Sequence, residues 1–261
     1  MIPKRIHYCW FGHNPKPKLA EKCIKSWKKK CPDYEIIEWN EDNFDIQSAP
    51  LYVRQAYEAK KWAFVTDYVR LWAMVESGGI YMDTDVQVLK SLDPFLKHQA
   101  FSGFEDETHI PTGIMACEKA FPLFKEFLSF YDDAVFILPD GSLNYQTNVI
   151  TITNICAQKG LLQNNSFQVI EGFALYPTDF FCPISYETER LKKTRNTTTI
   201  HWYASSWLSG KSRIKHETDK RLKREEERKR FWDYLIHMPN RFFMNLLGKD
   251  KYQRLINKIK R

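Results

Sequence analysis

The stretch GGIYMDTDV, residues 78–86, sets two carboxylates, Asp83 and Asp85, one residue apart at the end of a short apolar run. Charge inside a strand is unfavourable, so the pair asks for a reason. Gly78 reads as the cap of the helix before it, because glycine enters the left-handed region without strain. Residues 80–82 and 86–89 flank the pair as strand material. In an extended strand, residues i and i+2 project the same way, which would aim both carboxylates at one point. Two anionic groups so aimed suit a hard divalent cation, Mg²⁺ or Mn²⁺, with phosphate completing the shell. The other reading of a bare D-x-D is a solvent-facing turn, where Asp is common, and the apolar Ile-Tyr-Met before it argues against a wet turn. Phosphatases and nucleases also pair aspartates, so this stretch alone leaves the reaction open.

Upstream, residues 59–77 carry Trp62, Val65, Val69, Trp72 and Val75 at helical spacing. Asp67 and Arg70 lie i,i+3 on that helix, either as a surface ion pair or as a binding pair. In the second case Asp67 accepts from a sugar hydroxyl while Arg70 offers forked donors to oxygen or phosphate. Residues 5–10, RIHYCW, read as a strand closed by Gly12 and the NPKPK run. Residues 18–30 read as a helix with Leu19, Cys23, Ile24 and Trp27 on one side, and residues 34–39 as a second strand. Strand–helix–strand–helix–strand is the pattern of an α/β nucleotide-binding sheet. In such sheets ligands sit at the carboxyl ends of strands, where the two aspartates fall.

The chain of 261 residues, 43% hydrophobic and 15% aromatic, is long enough for one large domain with an appendage. No run of about 18 apolar residues occurs, so no segment is expected to span a bilayer. The opening residues lack the apolar core of a signal peptide, and the six cysteines show no CxxC or zinc-like spacing. Reduced thiols and a cytoplasmic location are the expectation. Charge is unevenly placed: residues 211–261 hold 17 Lys and Arg against 7 Asp and Glu, the other 210 hold 22 against 25. A near-neutral body, 1–210, thus precedes a basic tail, 211–261, which argues against a nucleic-acid binder. The tail begins almost wholly polar, then turns to FWDYLIHM, RFFMNLLGK and YQRLINKIK, short amphipathic pieces broken by Pro239 and Gly248. Such pieces lie in the headgroup region of an anionic membrane surface, with Phe231, Trp232, Phe242, Phe243 and Leu246 inserted. Packing on the body or on a second subunit, in a homo-oligomer, is the other reading.

Four stretches in order, IPKRIHYCWFG (2–12), CPDYEIIEWNEDNFD (31–45), the segment 56–90 ending in MDTDVQVLK, and HWYASSW (201–207), closely resemble glycosyltransferase family 32. That family includes bacterial capsular and surface-polysaccharide transferases and yeast mannosyltransferases, and its core is similar to that of the clostridial glucosylating toxins. The resemblance implies a GT-A type α/β fold that binds a nucleotide sugar with a D-x-D metal site. It places Trp10 against the nucleotide base, Tyr81 beside the nucleoside, and Asp67 with Arg70 on the donor sugar. Asp83 would touch the ribose and reach the metal, and Asp85 would bind the metal directly. Ser206 and Trp207 match a loop that closes on the diphosphate, and Asn148 lies where polar contacts to sugar and acceptor come from. His201 has two readings, a late metal ligand or a core histidine. Thr112 stands where an amide is expected in the sugar-pocket loop, which leaves the donor open.

The implied activity is a retaining, Mn²⁺- or Mg²⁺-dependent transfer of a hexose from a UDP-sugar, galactose or glucose favoured, to a lipid-linked oligosaccharide acceptor in bacterial surface glycan synthesis. The enzyme would be peripheral on the inner face of the cell membrane. A GDP-mannose-dependent mannosyltransferase and a metal-dependent phosphohydrolase are the competing readings, with a non-catalytic membrane-associated module a third.

Overall fold

Strand β1, Arg5–Cys9, runs through the middle of the first half of the chain, parallel to β2, Glu35–Trp39, on one side and β3, Gly79–Met82, on the other. Helix α1, Lys18–Lys30, connects β1 to β2, while α2, Leu51–Glu58, and α3, Trp62–Ser77, lead back to β3. The structure, a computed structural model, describes residues 1–185, 188–204 and 210–237 and single positions beyond. After β3 come β4, Val86–Val88, β5, Ala100–Gly103, and β6, Ile114–Cys117. Helices α4, Pro122–Ser129, and α5, Asn148–Gln158, precede β7, Gln168–Ile170, and β8, Phe173–Tyr176. The body ends with α6, Thr178–Phe181, and β9, Thr199–His201.

Seven strands form one mixed sheet in the order β2-β1-β3-β6-β5-β8-β7, and β4 pairs with β9 in a separate two-stranded ladder. Because β6 is antiparallel to both β3 and β5, strands β1, β3 and β5 all point the same way. Their carboxyl ends therefore share one edge. The α/β class expected from the sequence is the class observed.

Alternation along β3 builds the two cores. Tyr81 joins the cluster under α2 to α5, with Val65, Val69 and Phe124, whereas Ile80 and Met82 join Cys23 and Trp27 of α1 on the opposite face. Gly78 and Gly79 make the turn into β3 with φ of 63° and 117°, and a Cβ on Gly78 would stand 2.6 Å from the Lys119 amide nitrogen. Only glycine fits there. The C-cap expected at Gly78 is present, its N–H donating to the Met74 carbonyl at 2.8 Å.

Two expectations are corrected. The helix read over 59–77 starts at Trp62, because Lys60 takes a φ of 56° and separates it from α2. Asp83-Thr84-Asp85 is not extended strand but a turn between β3 and β4, closed by the Val86 N–H on the Asp83 carbonyl at 2.9 Å. The turn is half-buried rather than wet, since apolar strands enter and leave it.

The chain divides into two units, Met1–Leu208 and Ser209–Arg261. The second contains α7, Gly210–His237, whose Phe231 and Tyr234 are exposed. Ser206, Trp207, Phe242, Phe243 and Leu246, singled out from the sequence, lie outside the described residues. Among the described residues no helix is long and apolar enough to cross a membrane.

Candidate active site

The carboxyl edge of β1, β3 and β5 gathers the charged groups, and the β3–β4 turn gives its two aspartates different partners. Continuing the alternation of β3, Asp83 faces the α3 side. Its Oδ1 accepts from the Tyr81 hydroxyl at 2.9 Å and stands 3.5 Å from Arg70 Nη2. Arg70 Nη2 is also 3.2 Å from Asp67 Oδ1. The Arg70 fork is held from below: Nη1 donates to the Thr112 carbonyl at 2.7 Å and Nε to the Thr66 carbonyl at 3.1 Å. Its guanidinium lies 4.8 Å over the Tyr81 ring. The i,i+3 pair is thus no surface ion pair: Asp67 and Arg70 are 8% and 5% exposed. Burial pushes the Asp67 carboxyl up to about 6, although Arg70 pulls it down. Asn148, the first residue of α5, donates from Nδ2 to the Asp67 carbonyl at 3.2 Å, and its Oδ1 is buried without a partner.

Asp85 is placed by the pairing of β4 with β9. The register sets Val86 opposite His201, which brings His201 Nε2 to 3.3 Å from Asp85 Oδ1. The Ala204 N–H donates to Asp85 Oδ2 at 2.8 Å, and the Trp202 N–H to the Asp85 carbonyl at 3.0 Å. Burial disfavours charge on the imidazole, but Asp85 offsets this and holds His201 well above its usual range. Burial likewise raises Asp85, yet His201 and the Ala204 N–H hold it below the usual carboxylate range. The His201 ring packs on Tyr203, with centroids 4.1 Å apart, and on Gly113, where a Cβ would meet Cε1 at 2.6 Å.

Asp83, Asp85 and His201 each offer one ligand atom, and the three lie within 4.8 Å of one another. Two carboxylate oxygens and one imidazole nitrogen form a donor set that fits Mn²⁺ and other borderline-hard divalent ions. The three groups converge from the β3–β4 turn and the end of β9, and three donors do not fill the shell of such an ion.

The other residues expected at the site are placed as follows. Trp10 follows β1 on the shared edge, half-buried, with Nε1 donating to the Asn14 carbonyl at 2.6 Å and Lys16 Nζ 5.7 Å over its ring. Tyr81, expected beside the nucleoside, is buried, and what it presents to the site is the hydroxyl on Asp83. Thr112 meets Arg70 through its backbone carbonyl.

Two residues on this edge escaped the sequence reading. Gly113 carries no chemistry, and only the approach of His201 reveals it. Glu105, just past the end of β5, was legible by the same rule that found Asp83, a carboxylate directly after an apolar strand.

Residues 17–102 match the family described as glycosyltransferase sugar-binding region containing DXD motif. That segment holds Asp67, Arg70, Asp83 and Asp85. It is similar to inositol phosphoceramide mannosyltransferase 3 of Schizosaccharomyces pombe, 28% identical over 159 residues, covering 58% of this chain and 41% of that protein. It is also similar to mannosyl phosphorylinositol ceramide synthase CSH1 of Saccharomyces cerevisiae, 28% identical over 131 residues, covering 48% of this chain and 34% of that protein. The chain thus spans less than half the length of these relatives. Among solved structures, a glycosyltransferase involved in the glycosylation of the major capsid of PBCV-1 aligns with a TM-score of 0.44 at 12% identity, covering 83% of this chain and 98% of that one.

Proposed function

We propose that the chain is a metal-dependent, retaining glycosyltransferase of family 32 with a GT-A type fold. It moves a hexose from a nucleotide sugar to a lipid-linked glycan at the cytoplasmic membrane surface. The convergence of Asp83, Asp85 and His201 carries this reading, because a transferase needs a charge sink for a departing diphosphate. Two donors fit. The resemblance to surface-polysaccharide enzymes favours a UDP-hexose, and the names of the two yeast relatives favour a mannosyl donor, GDP-mannose.

Asp83, Asp85 and His201 would hold Mn²⁺ or Mg²⁺. Their ion would supply positive charge to offset that of a departing diphosphate. Asp67, ionised, accepts from donor-sugar hydroxyls, and Arg70 fixes Asp67 and Asp83 relative to each other. Trp10 stacks on the base, and Ser206 with Trp207 closes over the diphosphate. Asp83 and Asp85 would be occupied by the ion and Asp67 is held by Arg70, which favours same-face attack over a nucleophile drawn from these three. Catalysis then rests on positioning and leaving-group electrostatics. The basic tail holds the site near its acceptor on anionic lipid.

Incubation with Mn²⁺ and a panel of UDP- and GDP-sugars, followed by assay of released nucleotide, tests the activity. Release from none of them, with hydrolysis of simple phosphate esters, would replace the transferase by a phosphohydrolase. Co-sedimentation with anionic liposomes, with and without the residues after Arg230, tests the membrane role: equal binding at low and physiological salt sinks it.

A further inference from the structure

Glu105 is the third carboxylate on the edge formed by β1, β3 and β5, and the roles above leave it unused. It begins the loop 104–113 between β5 and β6, which is tied to the site at three points. The Asp83 N–H donates to the Gly113 carbonyl at 2.8 Å, Arg70 Nη1 to the Thr112 carbonyl at 2.7 Å, and Gly113 lies against the His201 ring. The loop holds three acidic residues. Asp106 Oδ1 accepts from the backbone N–H groups of Thr108 and His109, both at 2.7 Å, and so shapes the loop. Glu107 is exposed to solvent. Glu105 is half-buried, and among the described residues no group donates a hydrogen bond to its carboxylate. Its backbone is fixed by its N–H on the His109 carbonyl at 2.9 Å. The charged groups that face it are His201, Asp106, His109 and Asp83, and burial pushes its carboxyl up to about 7. It stands just past the carboxyl end of β5, on the edge that carries Asp83, in a loop that reaches the His201 ring through Gly113.

We propose that Glu105 contacts the acceptor: its carboxylate accepts a hydrogen bond from the sugar hydroxyl that receives the hexose and aims that oxygen at the donor. The inference rests on the transferase reading. In a same-face transfer the acceptor oxygen bonds to the anomeric carbon as the bond from that carbon to the diphosphate oxygen breaks. The nucleoside diphosphate leaves with the electron pair and takes up the hydroxyl proton. The acceptor hydroxyl must then arrive beside the diphosphate, hence near the ion site that the loop 104–113 meets at Gly113. A carboxylate oxygen orients such an O–H by accepting from it.

The test uses the full chain, Mn²⁺, the donor found active in the panel, and methyl glycosides of glucose, galactose and mannose as acceptor probes. Nucleotide release is followed against probe concentration for wild type and Glu105→Gln, a near-isosteric change that removes the charge and keeps the volume. The expected result is a loss of about tenfold or more in kcat/KM for the acceptor, the scale of a lost hydrogen bond to a charged group. Affinity for UDP or GDP with Mn²⁺, read by calorimetry, should stay within about twofold, which a loosened loop would not allow. If no glycoside stimulates release, water is the acceptor, and Glu105→Gln should slow donor hydrolysis by the same factor. An acceptor kcat/KM, or hydrolysis rate, within about threefold of wild type overturns the assignment of Glu105. A wild type that releases nucleotide from no donor overturns the transferase reading and this inference together.

Discussion

Substituting Gly113→Ala tests the metal centre without touching a ligand. A Cβ at that position would stand 2.6 Å from His201 Cε1, 2.9 Å from Nδ1 and 3.1 Å from Nε2, where ordinary contact begins at 3.4 Å. The imidazole must therefore withdraw by about 0.8 Å, the gap between those two distances. His201 has little room to do so, being buried against Tyr203 and held at Asp85. Overpacking of this kind costs about 1–3 kcal/mol of stability. The larger effect falls on the ion, because ligand distances tolerate errors of only about 0.2 Å. Disturbing the groups that orient a metal-bound histidine typically lowers metal affinity by about 10–100-fold. Titrating Mn²⁺ calorimetrically, and separately through nucleotide release, should show the midpoint raised by that factor in both. In a double-mutant cycle, Gly113→Ala should have no further effect on the midpoint once His201→Ala is present. A midpoint unchanged within about threefold, in a folded variant, would refute the place given to His201 in the metal centre.

Asp85→Asn should reduce metal-dependent turnover by about 100-fold or more, the Asn oxygen still accepting from the Ala204 N–H; saturating Mn²⁺ that restores a tenth of the rate would contradict direct ligation. Trp10→Ala should weaken nucleotide binding by about 1–3 kcal/mol, by analogy with base–aromatic stacks. If calorimetry finds affinity intact and stability greatly lowered, Trp10 is core. Asp67→Asn tests burial of charge. The folded protein keeps the Asp67 proton up to about 6, against 3.8 for the free side chain, so between those values the folded state binds more protons and stability falls as pH rises. The variant should therefore gain in melting temperature relative to wild type as pH goes from 4 to 7, and a difference that shrinks over that range would refute the reasoning.

The first half of the fold was legible because its elements are long enough to show a period. Trp62, Val65, Val69, Trp72 and Val75 mark α3, and RIHYC marks β1. The strands of the middle region were not legible: AFSG and IMAC are four residues each and buried throughout, so no polar residue alternates to reveal them. The two aspartates were found for their charge after an apolar run, but their convergence comes from a turn. The turn sets Asp83 beside Arg70 and Asp85 beside His201 and still keeps the ligand atoms of Asp83, Asp85 and His201 within 4.8 Å. The i,i+3 spacing of Asp67 and Arg70 was visible, whereas their burial depends on Thr112 and Asn148, distant residues whose contact no local pattern encodes. His201 stayed ambiguous for the same reason, since the register of β4 against β9 is a long-range property.

That ladder has a temporal consequence. Asp85 and the Ala204 N–H that holds it are 119 residues apart in the chain, and the segment 17–102 that carries the sugar-binding signature contains no part of β9. Closing so long a loop is slow and comes after local structure has formed. A chain still emerging from the ribosome, or cut short before residue 199, would own both carboxylates yet lack the imidazole that completes the set. Tight uptake of an ion at the proposed centre would then report that synthesis has run past β9, a test of completeness.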